Sequence, residues 1–149
     1  MPDFLVSLGS LGFTYRMRRL SDRLQDSGRR LYEALGVPLE PNWYALILFL
    51  DRAGRASVTE AATALKVSHP AVVELARRME AAGLIEASED PTDGRRRVLA
   101  LSPGGRSSLP GFRRLWATIG EELDTIIETT AGSDALAGLT TLEAQFLPA

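Results

Sequence analysis

The residues best suited to chemistry in this chain are arginines. Between Arg95 and Arg114 stand six of them (95, 96, 97, 106, 113 and 114) and no acid, a local charge of +6. Guanidinium groups carry forks of N–H donors that match phosphate oxygens and the guanine edge, so this stretch suits a polyanion. Arg95 and Arg96 fall at the tip of a short predicted hairpin, with the reach for a minor groove or its phosphates. Arg97 shares strand parity with Leu99 and Leu101, which leaves its direction open.

A second group lies upstream. On a predicted helix, Pro70, Val73, Glu74, Arg77 and Ala81 share the face opposite the apolar one. Arg77 has donors for guanine or phosphate, Glu74 can accept from a cytosine amino group, and Val73 can touch a thymine methyl. Ser68, at the helix start, suits a phosphate contact. The bland reading of the same face is a solvated surface whose charges pair with neighbours.

Other chemistries are poorly supplied. With no cysteine and one histidine in 149 residues, disulfides, thiolate zinc sites and cysteine nucleophiles are excluded. His69 reads as an exposed first-turn residue, and no metal or cofactor is expected. No nucleophile–base pair or phosphate loop is apparent, and Gly94 and Gly104-Gly105 are explained as turn residues. The chain is not expected to be an enzyme. Its formal net charge of −2 argues against indiscriminate binding to nucleic acid or membranes. Six acids and no base follow Arg114, so only part of the chain can meet a polyanion.

The Phe4–Phe13 apolar run is followed by Arg16, Arg18 and Arg19 and preceded by no positive charge, the reverse of a secretory signal. No stretch approaches the ~20 apolar residues of a membrane span. A cytoplasmic location is expected.

A length of 149 residues suits one domain, read here as 1–149. Leu20, Leu24, Leu31 and Leu35 mark one face of a long helix, weakened at its start by Gly9 and Gly12 and ended by Gly36 and Pro38. Trp43–Leu50 suggests a mostly buried second helix. Ser57-x-x-Glu60 is a capping-box pattern opening a short helix, Thr59–Leu65, with Thr59 as an alternative cap. After the turn Leu65–Ser68, Ser68 caps a longer helix that carries Pro70 in its first turn and ends at Gly83. Two helices around such a turn make a helix-turn-helix.

Leu84–Ser88 and Val98–Ser102 then read as the strands of a hairpin with Asp93-Gly94 at its tip. Helix-turn-helix plus hairpin is a winged helix. Ser102-Pro103 opens another helix, in which Leu109, Phe112, Trp116, Ile119, Leu123 and Ile126 repeat at alternating steps of three and four. Such a narrow seam favours a partner helix, and Pro110 is expected to kink or delay the helix. A last helix, about 133–146, carries Leu136, Leu139, Leu142 and Phe146. The fold expected is mainly α with a small β-hairpin wing.

In order and spacing these residues resemble the MarR family (multiple antibiotic resistance regulators) of winged-helix transcription factors. The resemblance rests on Thr59-Glu60-Ala61-Ala62-x-x-Leu65-x-Val67-Ser68, Met79-Glu80-x-x-Gly83-Leu84-Ile85, Asp90-Pro91-x-Asp93-Gly94-Arg95 and Leu99-x-Leu101-Ser102-Pro103-x-Gly105. Family recognition helices usually show Thr and a basic or polar residue near positions 73 and 74, where this chain has Val73 and Glu74. Membership implies a homodimer, with dimerisation helices at about 1–36 and 103–147 flanking a winged helix-turn-helix at about 41–102. It also implies recognition helices in successive major grooves and wings over the flanking minor grooves. Tyr15, Trp43, Tyr44 and Trp116 are weak candidates for a pocket of the kind that takes small phenolic effectors in that family, with core packing as the alternative.

The leading expectation is therefore a dimeric, sequence-specific DNA-binding regulator of double-stranded, palindromic sites, most often a repressor in this family. The alternative is a winged-helix protein that acts through protein partners with weak or no DNA binding. Its support is the balance across residues 58–88, where Lys66, Arg77 and Arg78 face four acids.

Overall fold

A computed structural model describes residues 1–147. They fall into two compact units, Met1–Gly105 and a second from Arg106 onward.

In the first unit, a short helix α1 (Phe4–Ser7) and a 3-10 turn (Gly9–Gly12) precede the long helix α2 (Phe13–Leu35). Gly36, with φ of 64°, ends α2 in the left-handed conformation that glycine adopts without a Cβ penalty. Tyr32 is the buried residue of α2, whereas Leu20, Leu24, Leu31 and Leu35 of its apolar face are exposed.

Helix α3 (Trp43–Ala53) is the centre of the core, as its apolar run predicts. Its Leu46, Ile47 and Leu50 are fully buried together with Val72, Met79, Ile85 and Leu99. Each such side chain contributes about 1.5–3 kcal/mol by leaving water. Strand β1 (Arg55–Ser57) then leads into α4 (Val58–Leu65). The cap is Ser57 rather than Thr59: its Oγ accepts from Glu60 N at 3.1 Å while the Glu60 carboxylate accepts from Ser57 N at 2.7 Å. Lys66, at φ 53°, makes the left-handed turn into α5 (His69–Ala81), whose N-cap is Ser68.

Strands β2 (Ile85–Glu89) and β3 (Arg97–Leu101) form the wing hairpin, each within one residue of the expected bounds. The sheet has three strands, however, in the order β1-β3-β2 and all antiparallel. β1 pairs Ala56 with Leu99 and Ser57 with Val98. A strand this short has no alternation to detect, and its last residue doubles as the cap of α4. Pairing on both edges makes β3 the centre of the sheet, so the wing is anchored at its base.

Helix α6 (Pro103–Ala131) begins in the first unit, where Ser102 Oγ donates to Gly83 O at 2.6 Å and accepts from Gly105 N at 2.9 Å. In the second unit α6 continues without a break through Pro110. The helix is not delayed, since it already runs from Pro103: a proline deletes a single backbone donor, and the remaining bonds of a 29-residue helix carry it across. Leu109 and Phe112 on either side are buried, whereas Leu123 and Ile126 of the same seam are exposed. Helix α7 (Ala135–Phe146) buries none of its residues, and Leu136, Leu139, Leu142 and Phe146 are exposed.

Candidate nucleic-acid interface

Helix α5 meets the core with Val72, Ala76 and Met79, which leaves the opposite face in solvent. At its start the Ser68 side chain accepts from Ala71 N at 3.3 Å, so its oxygen already caps the helix. Pro70 follows in the first turn and is exposed, as are His69 and Val73. Ser68, Pro70, Val73, Glu74 and Arg77 therefore occupy one accessible surface.

Glu74 and Arg77 do not stand apart on it. The Arg77 guanidinium donates twice to the Glu74 carboxylate, from Nε at 2.9 Å and from Nη2 at 2.7 Å. That hydrogen-bonded pairing holds the Glu74 carboxyl below its ordinary pKa and raises that of Arg77. The pairing expected under the bland reading is present. Yet the pair itself is exposed, 67% for Arg77 and 59% for Glu74, so it faces outward as a unit.

The wing separates its three consecutive arginines by what each can reach. Its tip is a tight turn in which Thr92 N and Oγ1 both donate to Asp90 Oδ1, at 2.9 and 2.8 Å, and Arg95 N donates to Asp93 Oδ1 at 3.1 Å. These bonds from Thr92, with Arg96 nearby, keep the Asp90 carboxyl below its usual range. Arg96 leans back toward the base, 3.8 Å from Glu60 and 4.0 Å from Asp90. The Glu60 carboxyl is lowered too, first by its hydrogen bond from the Ser57 backbone and more weakly by Arg96. Arg97 turns to α5, where its Nη2 lies 2.8 Å from Glu80 Oε2. Among the described residues Arg95 has no carboxylate partner, and it is exposed at the rim of a depression of about 360 Å³. The depression is lined by Ala87–Glu89 and Gly94–Arg97.

Arg95 and Arg96, grouped by sequence, thus have different surroundings, and the direction of Arg97 is settled by Glu80. Sequence reading missed Glu60 and Glu80 as wing anchors because each lies far along the chain from its arginine. It also missed Glu40, which sits 3.8 Å from Arg29 of α2 and 3.6 Å from Arg78 of α5.

The aromatic candidates are not alike. Trp43 is buried, and its Nε1 has no hydrogen-bond partner among the described residues, whereas the adjacent Tyr44 is 49% exposed and Tyr15 on α2 is 65% exposed. Trp116, in the second unit, packs against Phe112 with ring centroids 5.7 Å apart. Among the described residues no group of three potential metal ligands occurs, and no helix is long and apolar enough to cross a membrane.

Comparison with known proteins follows the same outline. Residues 35–96, which hold α3, the helix-turn-helix and most of the wing, match the model of the MarR family. No functionally curated protein is detectably similar in sequence. Among solved structures, the MepR–DNA complex of S. aureus is similar with a TM-score of 0.74 and 20% identity, over 89% of this chain and 96% of that one. The transcriptional repressor CouR bound to a 23-mer DNA duplex gives a TM-score of 0.68 and 27% identity, over 92% and 95%. A mutant MarR from E. coli with operator DNA gives 0.71 and 21%, over 99% and 100%.

Proposed function

We propose that the chain, whose residues 35–96 match the model of the MarR family, is a winged-helix transcriptional regulator of that family: a homodimeric, sequence-specific DNA-binding repressor that responds to a small aromatic effector. The observation that carries the reading is Arg95, exposed at the wing tip with no acid among the described residues to neutralise it, beside a helix-turn-helix whose second helix is open to solvent. In this reading α5 enters the major groove and contacts DNA through Ser68, Pro70, Val73, Glu74 and Arg77. Arg95 reaches the adjacent minor groove, with Arg96 behind it.

Dimerisation is supported by the apolar side chains that each unit leaves in water. Leu20, Leu24, Leu31 and Leu35 do so in the first unit, and Leu123, Ile126, Leu136, Leu139 and Leu142 in the second. Rows of this kind mark association surfaces more often than free ones. The effector is supported by Trp43, whose buried indole N–H has no partner among the described residues and would be satisfied by a hydroxyl or carboxylate on an aromatic ring.

The experiment is selection of sites from random duplex DNA at low salt, followed by titration of the best site at two salt concentrations. A two-fold-symmetric site, bound less tightly as salt rises, is the expected result. Reduced transcription from a promoter carrying that site would establish the sign of regulation. The neutralised Glu74–Arg77 pair favours a second reading, in which the winged helix meets a protein partner instead; a folded dimer that enriches no DNA would support it.

A further inference from the structure

The Glu74–Arg77 pair has a geometry that goes beyond mutual neutralisation. Arg77 gives Glu74 its side edge, made of Nε–H and one N–H of Nη2. A guanidinium has five donors, so the end edge, with the second N–H of Nη2 and one of Nη1, is still available. That end edge is the fork that fits guanine O6 and N7. The carboxylate therefore holds the planar head from the side and leaves its base-reading edge open, on a face of α5 that is exposed.

We propose that Glu74 is a specificity-determining residue: it fixes Arg77 side-on so that the arginine reads a guanine through its end edge, and it keeps that arginine from serving as a general phosphate contact. The inference rests on the DNA-binding reading above and assigns the base class read by this part of the helix. Against a phosphate, the pair offers no net charge and brings a carboxylate toward the polyanion, which is unfavourable. Against a guanine, two aligned donors meet two acceptors, and the orienting carboxylate has already restricted the rotamers that Arg77 would otherwise lose on binding. Non-specific affinity is given up for discrimination.

The test compares wild type, Glu74→Gln, Glu74→Ala and Arg77→Lys on the selected site and on random duplex, at two salt concentrations. Both positions are exposed, and circular dichroism melts check that each variant folds. Freed from its carboxylate, Arg77 takes a phosphate: both Glu74 variants should bind random duplex about threefold tighter or more, with a salt slope steeper by roughly one per protomer. Their preference for the selected site should fall about tenfold, and Arg77→Lys, which keeps the charge and loses the fork, should lose preference similarly. Equal weakening on both DNAs with an unchanged slope would overturn the inference, as would a selected half-site without guanine. Wild type that binds neither DNA at low salt would overturn the DNA-binding reading itself, and the inference with it.

Discussion

The guanidinium of Arg97 lies 2.8 Å from the carboxylate of Glu80, joining the first residue of the outgoing wing strand to the last turn of α5. Arg96 makes a looser counterpart with Glu60 at the start of α4. Two of three consecutive arginines thus pair with the protein's own carboxylates, and among the described residues Arg95 does not. The wing's orientation relative to α5 is then a property of the ion pairs as well as of the sheet.

Removing the Arg97–Glu80 contact should change DNA binding more than it changes stability. The pair is exposed, 58% on one side and 38% on the other, and such pairs contribute less than about 1 kcal/mol. Arg97→Ala is expected to melt within a few degrees of wild type yet lose several-fold in affinity, because wing and helix no longer approach the duplex in a fixed relation. Its salt slope should match wild type, since no phosphate contact is lost. Fluorescence anisotropy at several salt concentrations reads both quantities, and a shallower slope would assign Arg97 to the DNA instead.

Arg95→Ala should do the reverse. If each protomer neutralises one phosphate through Arg95, the variant dimer loses about 1.8 from the slope of log affinity against log salt. Weakening should be similar on the selected site and on random duplex, as expected for a contact to backbone or groove shape rather than to a base edge. Identical slopes for variant and wild type would remove Arg95 from the interface.

Acid sensitivity should include the cap of α4 and the wing turn. The Glu60 and Asp90 carboxyls are both lowered in the folded chain, chiefly by hydrogen bonds from Ser57 and from Thr92. A folded-state pKa below the unfolded one means that the unfolded chain binds more protons, so stability falls as pH falls. The contribution is fully present above the ordinary carboxylate range near pH 4–4.5 and disappears as pH drops through the lowered values. Urea denaturation of Glu60→Gln between pH 3 and 7 should show a flatter acid limb than wild type. A limb of unchanged steepness would mean that the capping carboxylate is not what acid titrates.

Much of this was legible in the chain because local signals coincide. Ser57 and Ser68 each announce a helix start, Gly36 and Gly83 announce stops, and Asp93-Gly94 announces the wing tip. What was not legible depends on distance along the chain. β1 is recognisable only by its pairing to β3, and the anchors of Arg96 and Arg97 are brought to them by the fold. The Glu74–Arg77 pair was within reach, since carboxylate and guanidinium three residues apart on a helix meet. What the spacing did not reveal was which edge of the guanidinium would be used.

The junction of sheet and α6 supplies the sharpest stability prediction. Ser102 N donates to Leu84 O at 3.0 Å, and Ser102 Oγ joins Gly83 O to Gly105 N, so the chain on both sides of the junction is held by backbone partners. A Cβ placed on Gly105 would overlap the Leu84 carbonyl, and that carbonyl cannot retreat without giving up its bond from Ser102. Gly105→Ala should therefore destabilise by about 1–3 kcal/mol or more, although alanine is the better helix former by about 1 kcal/mol. Gly120→Ala, in the same helix with nothing near its added methyl, isolates the propensity term and should be stabilising or neutral. Thermal melts of the two variants decide the matter: opposite signs locate the strain at the Leu84 carbonyl, and a neutral Gly105→Ala would show that the junction yields.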